Sequence, residues 1–180
     1  MSTHRLVVIV FCMGVIASDL YARRVSNRWL LAGLAVGVLL HVDAWRLGQA
    51  GFPGSALLGL AVGLVALLPF HAVGWMGAGD VKFFSVIGFL LGWQALLPVW
   101  IIASLLAGVH ATAVVLARYR DGAWIPLHLQ LFLHGTQVRP GVHGWWARML
   151  AARQGRKGIP YAAYLGIGVL VWILVPGVRT

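Results

Sequence analysis

The chain has 180 residues, of which 61% are hydrophobic and 10% charged, and its formal net charge is +10. Soluble domains carry about 25% charged residues, so this balance, with apolar runs of spanning length, excludes a soluble globular fold and indicates an integral membrane protein. The single Cys12 excludes a disulfide framework or a cysteine-based zinc site within one chain.

In chain order, the first predicted span is Leu6–Tyr21, which stops at Arg23-Arg24 with Arg28 following. Arg5 before an apolar run resembles a signal peptide, but Ala17-Ser18-Asp19 is a poor cleavage site, so an uncleaved first helix is expected. A second span covers Trp29–Val42. Asp43–Gly54, with Gly48, Gly51, Pro53 and Gly54, reads as a loop. A third span covers Ser55–Val73 and meets a glycine-rich break, Gly74–Asp80. The 37 residues Val81–Ala117 are almost wholly apolar. As one helix they would reach about 55 Å, against a hydrocarbon core of about 30 Å, so a turn is predicted near Gly92-Trp93-Gln94. Arg118–Lys157 is a basic, tryptophan-containing segment expected to lie on the membrane surface. The last span is Ile159–Val175. The expectation is an all-α fold: a polytopic membrane bundle of about six helices, one domain over 1–180, with a basic cytoplasmic segment at 118–157.

Charge counting tests that number. With Arg23, Arg24 and Arg28 in the cytoplasm, alternation puts eleven of the fourteen basic residues inside and only Arg5, Arg46 and Arg179 outside. Both termini are then predicted outside, and Asp19 and Asp80 fall together near the cytoplasmic edge. The positive charge is thus read as topology, with membrane lipid headgroups rather than nucleic acid as its electrostatic partner. Gly33/Gly37, Gly59/Gly63 and Gly88/Gly92 recur at four-residue spacing and are expected to let helices pack closely within the bundle.

The chain has four acidic residues, Asp19, Asp43, Asp80 and Asp121. A carboxylate at a membrane helix centre costs roughly 2.5–3.5 kcal/mol, so Asp80 needs a partner, a wet cavity or a chemical role. Two neighbouring carboxylates do not both ionise readily. One then activates water while its protonated partner polarises a carbonyl, which is aspartic peptidase chemistry. Gly77 and Gly79 beside Asp80 are expected to permit a non-helical turn and leave room for a substrate backbone. Simpler readings exist: an Asp19–Arg23 ion pair at a helix end, and Asp80 complementing a helix N-terminus. Asp43 and Asp121 are expected in solvated loops. Ser18, Ser85 and Ser104 read as packing or back-bonding residues. Seven histidines form no H-E-x-x-H pattern and the chain has no Glu, so neither a metal nor another cofactor is expected.

Gly77-Ala78-Gly79-Asp80-Val81-Lys82 resembles the GxGD-V-K signature of type IV prepilin peptidases. Asp19 with Arg23-Arg24-Val25-Ser26-Asn27 is similar to that family's first catalytic block, and Lys157-Gly158-Ile159-Pro160-Tyr161-Ala162 to the entry of its last helix. Ser26 and Ala162 depart from the commoner Pro and Gly. The resemblance implies a bacterial inner-membrane aspartic peptidase that removes the basic leader of prepilins or pseudopilins at the cytoplasmic face. Asp19 and Asp80 would be its catalytic pair, and Gly77, Gly79 and Lys82 its active-site loop. Asn27, Pro160 and Tyr161 become candidates for the substrate site, with capping and interfacial anchoring as the alternatives for Asn27 and Tyr161. Larger members carry a four-cysteine cytoplasmic domain and N-methylate the new terminus; this chain resembles the short peptidase-only form of Flp (tight-adherence) pilus systems. Two alternatives stay open: a small transporter or proton relay using Asp80, and a non-catalytic assembly factor of a pilus or secretion complex.

Overall fold

Apolar runs separated by glycine, proline and arginine breaks produce helices throughout the computed structural model, which describes residues 3–49, 51, 53–120 and 160–175. Among these the helices are α1 (Thr3–Ala22), α2 (Asn27–Arg46), α3 (Gly54–Ala72), α4 (Ala78–Leu91), α5 (Leu96–Arg120) and α6 (Tyr161–Leu174). A 3₁₀ turn, Trp93–Ala95, joins α4 to α5. No strand occurs among the described residues. The predicted break at Gly92 is where the chain turns; Gly92 has φ 85°, a left-handed conformation that glycine adopts without a Cβ clash.

Among the described residues, four segments are long and apolar enough to cross a membrane: His4–Ala22, Asn27–Arg46, Gly54–Ala72 and Trp93–Leu116. The chain is therefore an integral membrane protein. Helices α4 and α6 have 14 residues each, about 21 Å of rise. Helix α4 is apolar nearly all round and forms the middle of the bundle: Val81 and Phe83–Leu90 are all buried. It packs on α3 along one side and on α2 and α6 along others, while α6 fits between α1 and α5.

Water does not drive helices together inside a bilayer; close van der Waals contact does, and small residues permit it. Gly59 and Gly63 of α3 lie directly on Gly88 and Ser85 of α4, backbone against backbone, and Ser85 Oγ donates to the Leu60 carbonyl at 2.6 Å. Gly33 accommodates the Phe11 ring, and Gly37 accommodates Leu90 and Phe89. Gly33, Gly37, Gly59, Gly63 and Gly88 therefore serve packing within the chain, as expected, whereas Gly92 serves the turn instead.

Two boundaries differ from the sequence expectation. Asp43 belongs to α2, which continues to Arg46, because Asp43 and Arg46 sit on exposed positions that a helix end tolerates. The chain leaves the helix only at Gly48, at φ 66°. Helix α4 starts at Ala78, so Gly79 and Asp80 are helical rather than part of a loop. Of the segment 118–157 expected on the membrane surface, residues 118–120 instead continue α5, while 121–157, with Asp121, and Lys157–Ile159 of the third motif lie outside the described residues.

Candidate active site

Asp19 lies in the last turn of α1 and is 5% exposed. Asp80 is the third residue of α4. Both line one cavity of about 650 Å³ at the end of the bundle where α1 and α3 finish and α2, α4 and α6 begin. The two carboxyl groups are near enough to interact electrostatically across it. Sixty-one positions apart in sequence, they are brought together as charge counting predicted.

Backbone amides hold both carboxylates. Asp19 Oδ2 accepts from the Ala163 N–H at 2.9 Å, a buried bond. The preceding Ala162 N–H acts on Asp80. Asp80 Oδ2 also accepts from the Gly77 N–H, at 3.2 Å, reaching back over the start of its own helix. The first turns of α4 and α6 therefore direct unsatisfied N–H groups and their positive dipole ends at the two acids. The simpler reading of Asp80, as a complement to a helix N-terminus, is thus true of it.

The Asp19–Arg23 ion-pair reading fares differently. Arg23 Nε and Nη1 are buried and form no hydrogen bond, so the guanidinium attracts Asp19 without donating to it from these atoms. Arg23 has φ 51°, a left-handed backbone costing an L-residue about 1–2 kcal/mol. That sharp reversal lets the chain leave α1 and enter α2 within four residues. Ser18 Oγ fixes it by donating to the Arg24 carbonyl at 2.8 Å. Ser18 therefore secures the turn beside the cavity rather than back-bonding within its helix.

Gly77 and Gly79 reach the site for a reason other than the expected one. Gly77 has φ −71° and ψ 146°, which any residue adopts. A Cβ on Gly77 would stand 3.1 Å from Asp80 Oδ2, and one on Gly79 3.3 Å from the Val25 Cβ. These glycines clear space for the Asp80 carboxylate and for the α1–α2 turn; they do not supply unusual dihedrals.

Lys82 and Asn27 meet at the cavity edge, where Lys82 Nζ donates to Asn27 Oδ1 at 3.3 Å. Asn27 is thus a cross-helix partner and not a cap; the N-cap position belongs to Ser26, whose side chain makes no capping bond. Pro160 is buried at the N-cap of α6 and sets the entry of Tyr161. Tyr161 lines the cavity, and its hydroxyl lies 3.0 Å from Ser104 Oγ of α5. Ser104 therefore orients a cavity residue, a role that sequence reading missed because nothing local marks a contact 57 positions away. Arg24 and Val25, part of the stretch similar to the first catalytic block, also line the cavity, as does Arg28, which sequence reading treated only as a topology signal. Among the described residues no three His, Cys, Asp or Glu side chains converge.

The fold and the site define a class: a helical membrane protein with an aspartate pair in a polar cavity at one end of its bundle. The model of the type IV leader peptidase family matches residues 6–112, more than half of the sequence, and the chain belongs to that family. It is 35% identical over 100 residues to a prepilin leader peptidase/N-methyltransferase of Myxococcus xanthus, covering 52% of this chain and 28% of the relative. It is 32% identical over 108 residues to a protein of the same description from Bacillus subtilis, covering 57% of this chain and 40% of the relative. The chain thus matches well under half the length of these curated relatives. No solved structure matches it significantly.

Proposed function

We propose that the chain is an aspartic endopeptidase of the cytoplasmic membrane that removes the basic leader of type IV prepilins, with Asp19 and Asp80 as its catalytic pair. The observation that carries this reading is the pair itself: two carboxylates lining one cavity, Asp19 held by the Ala163 amide at the start of α6 and Asp80 by the Gly77 amide at the start of α4.

In this reading one carboxylate is ionised and the other protonated. The ionised group takes a proton from a water between them as that water attacks the scissile carbonyl. The protonated group donates to the carbonyl oxygen, and the pair then delivers a proton to the leaving amine. Tyr161, held by Ser104, and Arg23 border the space the scissile peptide would occupy. Arg23, Arg24, Arg28 and Lys82 sit at the cavity end of the bundle, and the positive-inside rule makes that end cytoplasmic, with the N-terminus of α1 outside. These cations would repel a basic leader unless anionic headgroups take them up, so lipid phosphates are part of the proposal. Flp-type prepilins are the first substrates to test.

A proton-relay function has less support. Beyond Asp80, the buried residues of α4 are apolar apart from Ser85, whose hydroxyl is engaged by Leu60. The test is reconstitution of the purified chain in vesicles containing anionic lipid, with a Flp-type prepilin, and mass spectrometry of the product. Release of an intact leader supports the peptidase. An uncut prepilin together with a proton flux abolished by Asp80→Asn would establish the relay instead.

A further inference from the structure

Helices α2 and α3 both pack on α4 but share almost no interface with each other. The slot between them is an apolar groove of about 340 Å³. Leu31 and Leu34 of α2 form one wall, Leu64 of α3 the other, and Val86 of α4 part of the floor. Leu31 is 65% exposed and Leu64 40% exposed, so the groove lies open along the side of the bundle. Its end is closed by Asn27 and Lys82, and these two residues also line the aspartate cavity. The hydrogen-bonded Lys82–Asn27 pair is therefore a sill between a polar chamber and an apolar trough. Two other apolar grooves, between α1 and α2 and between α3 and α5, share no residue with the cavity.

We infer that the α2–α3 groove is the docking site for the apolar helical stretch of the substrate that follows the scissile bond. A chain lying across the sill has its polar part among the aspartates and arginines and its apolar part against leucines. This is the order of a peptide whose polar leader precedes a membrane-embedded helix. A helix laid in such a trough reads it with side chains spaced three and four residues apart, and α4 supplies a floor on which it takes the place of the missing α2–α3 contact. The trough runs into the chamber that holds both carboxylates, so a peptide lying in it passes the aspartates, whereas a lipid held by its phosphate at the arginines would fill the trough with its tail alone. The inference rests on the peptidase reading and names where that enzyme holds its substrate.

Photo-crosslinking tests it in the full chain, reconstituted in vesicles, with a Flp-type prepilin. Crosslinkers at Leu31 and Leu64 are expected to capture the apolar segment of the prepilin, while one at Leu105, 65% exposed on α5, does not. Leu64→Trp, which fills the trough, is expected to raise KM about tenfold with kcat retained, whereas Leu105→Trp changes neither. Retained kcat also shows that the filled variant is folded. Equal capture at all three positions, capture of lipid alone, or an unchanged KM for a folded Leu64→Trp overturns the groove assignment. Failure of the wild type to cut any prepilin instead overturns the peptidase reading, so the two failures are distinguishable.

Discussion

Gly59→Ala places one methyl group where α3 and α4 touch. An added Cβ would lie against the Gly88 carbonyl, 2.6 Å from its carbon and 3.0 Å from the Trp93 nitrogen. All three atoms are backbone, so no side chain can rotate away. Carbon contacts are optimal near 3.5–4.0 Å, and the two helices must therefore part by about an ångström along their most extensive interface. Overpacking of this kind costs about 1–3 kcal/mol, and the gain in helix propensity from glycine to alanine returns up to about 1 kcal/mol. The expected net destabilisation is about 1–2 kcal/mol. Gly108 is the control, because an added Cβ there meets nothing within 4 Å and only the propensity gain remains. Unfolding by sodium dodecyl sulfate in mixed micelles, followed by tryptophan fluorescence, measures both. Because α4 carries Asp80 and Lys82, the Gly59 variant should also lose activity in proportion to the displacement. Wild-type stability in Gly59→Ala, or equal destabilisation by Gly108→Ala, would refute the close-packing account.

Ser104→Ala and Tyr161→Phe each remove the same 3.0 Å hydrogen bond, worth about 0.5–1.5 kcal/mol. Their effects on kcat/KM should be non-additive in a double-mutant cycle, and strict additivity would show that the bond does not position Tyr161. Cleavage should follow a bell-shaped pH profile: below both transitions the pair has no base, above both it has no acid, and a flat profile of kcat/KM would contradict a shared proton. Asp43→Asn should cleave prepilin at the wild-type rate, because Asp43 is exposed near the far end of α2 from the cavity. A large loss would mean that the cavity is not the whole site.

Sequence features expressed along the chain were legible; those created by packing were not. The turn at Gly92 followed from an apolar run too long for one crossing, and the meeting of Asp19 with Asp80 followed from where the arginines fall. The glycine spacings on α3 and α4 announced close packing. By contrast, helix α4 begins at Ala78, inside the string read as a break, because the Asp80 carboxylate satisfies the Gly77 N–H, a bond that the helix N-terminus reading of Asp80 did not place. The amide of Ala163 that holds Asp19 comes from 144 positions away, and no residue type signals a backbone donor. The same applies to Ser104 against Tyr161. Gly77 and Gly79 were singled out as room for a turn and a substrate backbone, but what the fold uses is the missing Cβ near Asp80 and Val25, which only the assembled helices make apparent.

The central claim is that Asp19 and Asp80 act as one pair. Its most direct test is single-turnover cleavage of a prepilin in vesicles by the wild type, Asp19→Asn, Asp80→Asn and the double variant, each first shown to be inserted and folded. The account predicts that each single substitution abolishes leader release as completely as the double one, because residues acting as a unit are not additive. Near-normal cleavage by either folded single variant would contradict it.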